Sequence, residues 1–70
     1  MKIIAREYVP AQDKADYTFL ADSVADIPAD MNERYPDAAV GSTIIVIEIG
    51  AMIVKNTKGK WQKFGTSEVI

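Results

Sequence analysis

The chain has seventy residues, a formal net charge of −2, no cysteine and no histidine. That excludes disulfide staples, the thiolate and imidazole metal ligands, and any nucleophile–base pair of the Ser–His or Cys–His kind. An acidic balance also argues against a dedicated nucleic-acid binder, which carries a basic footprint.

Met1 to Val9 (MKIIAREYV) has strand character, and residues 1–9 are expected to form one. Pro10 stops it, because proline has no N–H for a ladder. Ala11 to Asp16 is polar and reads as a connector, the competing view being a short helix over Pro10 to Asp16. Residues 17–21 (YTFLA) form a second strand candidate, with Tyr17, Phe19 and Ala21 on one face and Thr18 and Leu20 on the other.

Ser23 and Asp26 have the spacing of a capping box. Pro28 would break a helix that began there, so the helix is expected over residues 27–34, capped by Asp26 and stopped before Pro36. Asp22, Asp26 and Asp30 fall at i, i+4 and i+8. They lack the loop and glycine of a calcium site and read as solvated acids. No metal or other cofactor is expected.

Residues 43–64 are predicted to form a three-stranded β-meander, with residues 66–70 as a tail. Ile49-Gly50 is the expected first turn and Asn56-Thr57-Lys58-Gly59 the second. A two-residue first turn sets Val46 against Ile53 and Ile45 against Val54. A four-residue second turn sets Val54 against Trp61. One face then carries Ile45, Ile47, Met52, Val54 and Trp61. The other carries Ile44, Val46, Ile53 and Phe64, mixed with Glu48, Gln62 and lysines. A one-residue slip would scramble that assignment.

A small antiparallel sheet usually keeps one face wet. This one is apolar on both, and its first hairpin tip, Ile49-Gly50-Ala51-Met52, is apolar as well. Either the N-terminal strands cover the second face, giving a small barrel or sandwich, or another subunit does. The candidate interface is Ile44, Val46, Ile49, Met52, Ile53 and Phe64. Trp61, beside lysines, is a candidate stacking platform for a base or a sugar; packing in the core opposite Val54 is the competing reading. The acids between Glu7 and Glu48 and the lysines at 55, 58, 60 and 63 divide the chain into a negative and a positive zone, read as solvated faces or as a guide for head-to-tail contacts. The fold class expected is mainly β, a β-rich α+β domain in a single unit.

Three stretches together resemble a known group: Ser23-Val24-Ala25-Asp26-Ile27-Pro28, Ala38-Ala39-Val40-Gly41-Ser42-Thr43 and Asn56-Thr57-Lys58-Gly59-Lys60-Trp61. Their order is similar to that in short structural proteins of tailed phages and prophages, head-fibre and tail-fibre modules among them. The apolar hairpin tip departs from that group's polar turn. The resemblance implies a virion structural or assembly role without catalysis, and partners that are copies of itself or a larger viral assembly. It implies synthesis in the cytoplasm of a bacterial host and residence in the virion. A cytoplasmic adaptor or inhibitor module is the alternative, and a carbohydrate- or nucleic-acid-binding β module ranks below it. No signal peptide or membrane span is read from the sequence.

Overall fold

The computed structural model describes residues 1–70. It is mainly β: a single five-stranded sheet in the order β1-β2-β3-β4-β5, with β1 Lys2–Val9, β2 Lys14–Ala21, β3 Thr43–Val46, β4 Ala51–Lys55 and β5 Trp61–Lys63. The sheet stays open, so the expected closure into a barrel or sandwich does not occur. All neighbours are antiparallel except β2 and β3, which run parallel. A parallel pair needs a crossover. Residues 22–42 supply it, with one 3₁₀ turn at Val24–Asp26 and a single helical turn, α1, at Met31–Arg34.

The β1–β2 connection is a hairpin rather than a polar linker. Gln12 N–H donates to Val9 O (3.1 Å), and Asp13 takes a left-handed backbone (φ 52°). Aspartate tolerates that conformation better than most residues, so β2 starts three residues earlier than its β-formers suggest. Asp26 accepts from the Ser23 amide (3.3 Å) as the spacing predicted, but it orders only the 3₁₀ turn. Proline at 28 prevents its growth. The helix expected over 27–34 is confined to α1, whose Asp30 carboxylate binds Arg34 Nε at 2.7 Å.

The crossover lies against one face of the sheet. There Ala15, Tyr17, Phe19 and Ala21 of β2, Ile44 and Val46 of β3, Ile53 of β4 and Trp61 of β5 are buried with Met31 and Ala38. Phe19 is the centre: it stacks on Tyr17 (centroids 5.1 Å apart) and meets Tyr35 at 4.7 Å and Trp61 at 6.2 Å. Such tilted and offset pairs add about 0.5–1.5 kcal/mol each beyond burial. Tyr17 O–H donates to Asp37 and accepts from Arg6 Nε (3.1 Å), so the polar end of the cluster is satisfied at the sheet margin.

One side chain completes the parallel seam. Ala39 N–H donates to Ala15 O (2.7 Å), but the chain then bulges away at Val40-Gly41, where Gly41 has φ 94°. Ser42, fully buried, fills the gap: its Oγ accepts from the Tyr17 amide at 3.1 Å. Thr43 then pairs with Thr18 and the ladder proceeds.

Candidate functional site

The register decides what each face offers. In the β3–β4 hairpin Val46 opposes Ala51, Ile45 opposes Met52 and Ile44 opposes Ile53. The loop therefore holds four residues, Ile47–Gly50, where the sequence suggested two. A shift of two residues leaves every side chain on its expected face. The β4–β5 connection is different. Lys55 opposes Trp61 and Val54 opposes Gln62, a displacement of one residue from the expected pairing.

The cause is the turn chemistry. Asn56 Oδ1 accepts from the amides of Lys58 (3.0 Å) and Lys60 (2.9 Å), and Gly59 follows in the left-handed region (φ 78°). A turn closed by a left-handed glycine inserts one extra residue. Trp61 is thereby carried to the covered face. It is 5% exposed and its indole N–H donates to Asn32 Oδ1 at 3.1 Å. The stacking-platform reading of Trp61 is corrected: the ring is almost wholly buried in the core, where it meets Phe19 edge-on.

The candidate interface splits in the same way. Ile44 and Val46 are wholly buried and Ile53 nearly so, beneath the crossover. They can meet no partner, because the aromatic face with Tyr17, Phe19 and Trp61 is the one the chain itself covers. Ile49, Met52 and Phe64 are exposed. Met52 and Phe64 belong to the opposite, open face, where Phe64 N–H donates to Met52 O (2.8 Å). Cross-strand pairing sets Leu20, Ile45, Met52 and Phe64 in one row, and Thr18, Thr43, Val54 and Gln62 in the next.

Nothing in the chain covers these rows. Leu20, Ile45 and Val54 are half-buried by their neighbours alone, Met52 is 40% exposed and Phe64 66%. Ile47 and Ile49 project from the loop at one end, each 54% exposed. No charged residue lies within the two rows. Lys2, Glu7 and Asp16 share the face only at the β1 margin. The centre of the face is thus uncharged, one row apolar and the next mixing Val54 with Thr18, Thr43 and Gln62, and charge lies at its rim.

The two sheet edges are treated differently. The C-terminal residues lie along β5, with Lys63 N–H donating to Glu68 O (2.8 Å) and Ile70 N–H to Trp61 O (3.0 Å), so the predicted tail partly pairs with the edge. β1 is the free edge. Its bulge between Ile3 and Ala5 and its charges at Lys2, Arg6 and Glu7 make it a poor template for further pairing.

A second polar feature sits at the far end of β4. Lys55 is 7% exposed, and its Nζ donates to Ala38 O at 2.9 Å. Burial and the neighbouring charge of Lys14 lower its pKa. Sequence reading placed Lys55 in a solvated basic zone. The alternation that buries Ala51's successor Ile53 also turns Lys55 inward, and that signal was present in the strand. Asp22, Asp26 and Asp30 do not converge with any other acid into a metal-sized cluster.

Scanned against family models, curated proteins and solved structures, the chain finds no match in any of the three. No helix is long and apolar enough to cross a membrane.

Proposed function

We propose that the chain is an interaction module that works by contact rather than catalysis, pairing with a second copy of itself through the open face of the sheet. The observation that carries this reading is the uncharged row Leu20, Ile45, Met52 and Phe64 lying uncovered across β2 to β5. A flat apolar face is self-complementary about a two-fold axis, and two sheets pack readily at about 10 Å. Five strands that overlap over three or four paired residues from β2 to β5 make a face on the order of 400 Å² in projection. A standard interface removes roughly 800 Å² of accessible surface per partner. This face falls short of that standard, so association in the micromolar range or weaker is expected.

The role we propose for such a pair is structural: a small part, or assembly factor, of a phage or prophage particle. It would be made in the cytoplasm of a bacterial host and carried in the virion. Support for that setting is the resemblance of the Ser23–Pro28, Ala38–Thr43 and Asn56–Trp61 stretches to head-fibre and tail-fibre modules.

Sedimentation equilibrium over a range from micromolar to millimolar chain tests the pairing. The expected result is a concentration-dependent rise from 7.7 kDa towards twice that mass. A chain that stays at 7.7 kDa throughout would refute self-association.

A further inference from the structure

At the end of the sheet remote from the apolar loop, the β1–β2 turn, the Ala38–Val40 bulge and the Asn56–Lys60 turn enclose a cleft of about 370 Å³. Its lining includes Gln12, Lys14, Lys55, Thr57 and Gly59. Gln12 makes one wall rigid: its side-chain Oε1 accepts from the Val40 amide at 2.9 Å. The Asn56 carboxamide fixes the opposite wall through its two bonds to the turn amides.

Two ammonium groups belong to this cleft, and neither has a counter-ion. The ion pairs of the chain are Arg6–Asp37 and Arg34–Asp30. Lys14 Nζ reaches only the Pro36 carbonyl, at 3.4 Å. Lys55 is the unusual one. A lysine is rarely so buried unless it is paired, and an ammonium carries three donors. One is used, on Ala38 O; the other two have no partner in the chain. Asp37 is the carboxylate whose field Lys55 feels, but its oxygens are engaged by Arg6 and Tyr17. Thr57 adds a hydroxyl and an amide that no other group of the chain uses. The cleft is therefore lined with donors and positive charge and lacks only an acceptor of opposite sign.

We propose that this cleft binds a phosphate-type oxyanion, with Lys55 and Lys14 sharing its charge and Thr57 donating to it. A tetrahedral dianion matches two ammonium groups in charge and offers acceptors in several directions. The volume leaves room for more than the anion, so inorganic phosphate and a phosphate monoester of a small molecule both fit. The function is distinct from pairing through the open face, which lies on the other side of the sheet.

The test is a ¹H–¹⁵N NMR titration of the intact chain with inorganic phosphate, and in parallel with glycerol phosphate, at fixed ionic strength set by chloride. Saturable shifts of the Lys14, Lys55, Thr57 and Gly59 amides are expected. Tighter binding of the ester would assign the site to monoesters, and tighter binding of phosphate to the free anion. Lys55→Gln removes the charge but keeps a donor for Ala38 O, and Lys14→Gln alters a solvent-exposed side chain at the start of β2. Each is expected to weaken binding about tenfold or more, as loss of a charge-assisted hydrogen bond does. Unchanged amide positions outside the cleft confirm that each variant is folded. Non-saturating shifts with both anions, or equal affinity in wild type and Lys14→Gln, would overturn the proposal. Should Lys55→Gln fail to fold, Lys14→Gln decides alone.

Discussion

Replacing Met52 by Asp separates the open-face contact from the fold that supports it. Full burial of a methionine side chain contributes about 1.5–3 kcal/mol. Met52 is 40% exposed in the single chain, so a partner that covers it adds roughly 0.6–1.2 kcal/mol per copy. A two-fold interface counts the residue twice, which gives about 1.2–2.4 kcal/mol, or roughly seven- to fifty-fold in the dissociation constant. The carboxylate adds its own desolvation cost on top, because the Leu20–Phe64 row holds no cation to pair with it. Within one chain the cost is smaller. The side chain already meets water, and aspartate in a strand is disfavoured by at most about 1 kcal/mol. The expected outcome is a chain that melts cooperatively, a few degrees below wild type, and sediments as a monomer where wild type pairs. Lys58→Glu, in the second turn and off the face, makes the same sign of charge change and should leave pairing intact. The reasoning is refuted if Met52→Asp pairs as well as wild type, or if Lys58→Glu disrupts pairing equally.

Three further outcomes follow from the core and its turns. Ser42→Ala leaves the buried Tyr17 amide without its acceptor, at about 1–3 kcal/mol; thermal melting should drop by at least about 4 °C, and the Tyr17 amide should exchange markedly faster, whereas an unchanged exchange rate would contradict the seam described for β2 and β3. Gly59→Ala meets no neighbouring atom within 4 Å, so its cost is the left-handed backbone alone, about 1–2 kcal/mol; Gly59→Asn should recover part of that in a chemical-denaturation series. The carboxyl of Asp37 is held below its ordinary value of 3.8 by hydrogen bonds from Arg6 and then Tyr17. Its contribution to stability is therefore complete above that ordinary value and disappears as pH falls through the lower folded-state value; Asp37→Asn should flatten this part of an acid-unfolding profile, and an identical profile in the variant would show the network to be inert.

What was legible in the sequence, and what was not, turns on the parity of each connection. The alternation in Tyr17, Phe19 and Ala21 put these three on one face, and the structure buries all three. The first meander turn was read two residues too short. Because strand side chains alternate with period two, the partition of Ile44, Val46 and Ile53 from Ile45, Met52 and Val54 survived the error. The second turn was read one residue too short, and that error moved Trp61 across the sheet. Asn-Thr-Lys-Gly reads equally well as a four-residue turn or as a turn plus a glycine bulge. Only the bonds from Asn56 Oδ1 to both Lys58 and Lys60 select the longer form.

The parallel β2–β3 pair was not legible, because nothing local marks which strand a crossover rejoins. That one long-range fact decides the rest. It places Met31, Tyr35 and Ala38 over the face that holds Phe19 and Ile44, so these residues, not a partner, cover the larger apolar side. Both faces carry apolar residues as expected, but the register of the second turn exchanges Trp61 and Phe64 between them. Phe64, expected beside Ile44 and Ile53, lies beside Met52, and the interface candidates came from both faces. With the crossover on the Phe19 side, Ile44, Val46 and Ile53 become core, and Met52 and Phe64 keep their candidacy on the uncovered side with Leu20 and Ile45 beside them. The same placement explains Lys55. Once Ile53 faces the crossover, Lys55 two residues on must do so too, at the end of the sheet where the covering segment has thinned to the Ala38–Val40 bulge. There an inward lysine finds a carbonyl, Ala38 O, and an open cleft instead of a hydrophobic roof.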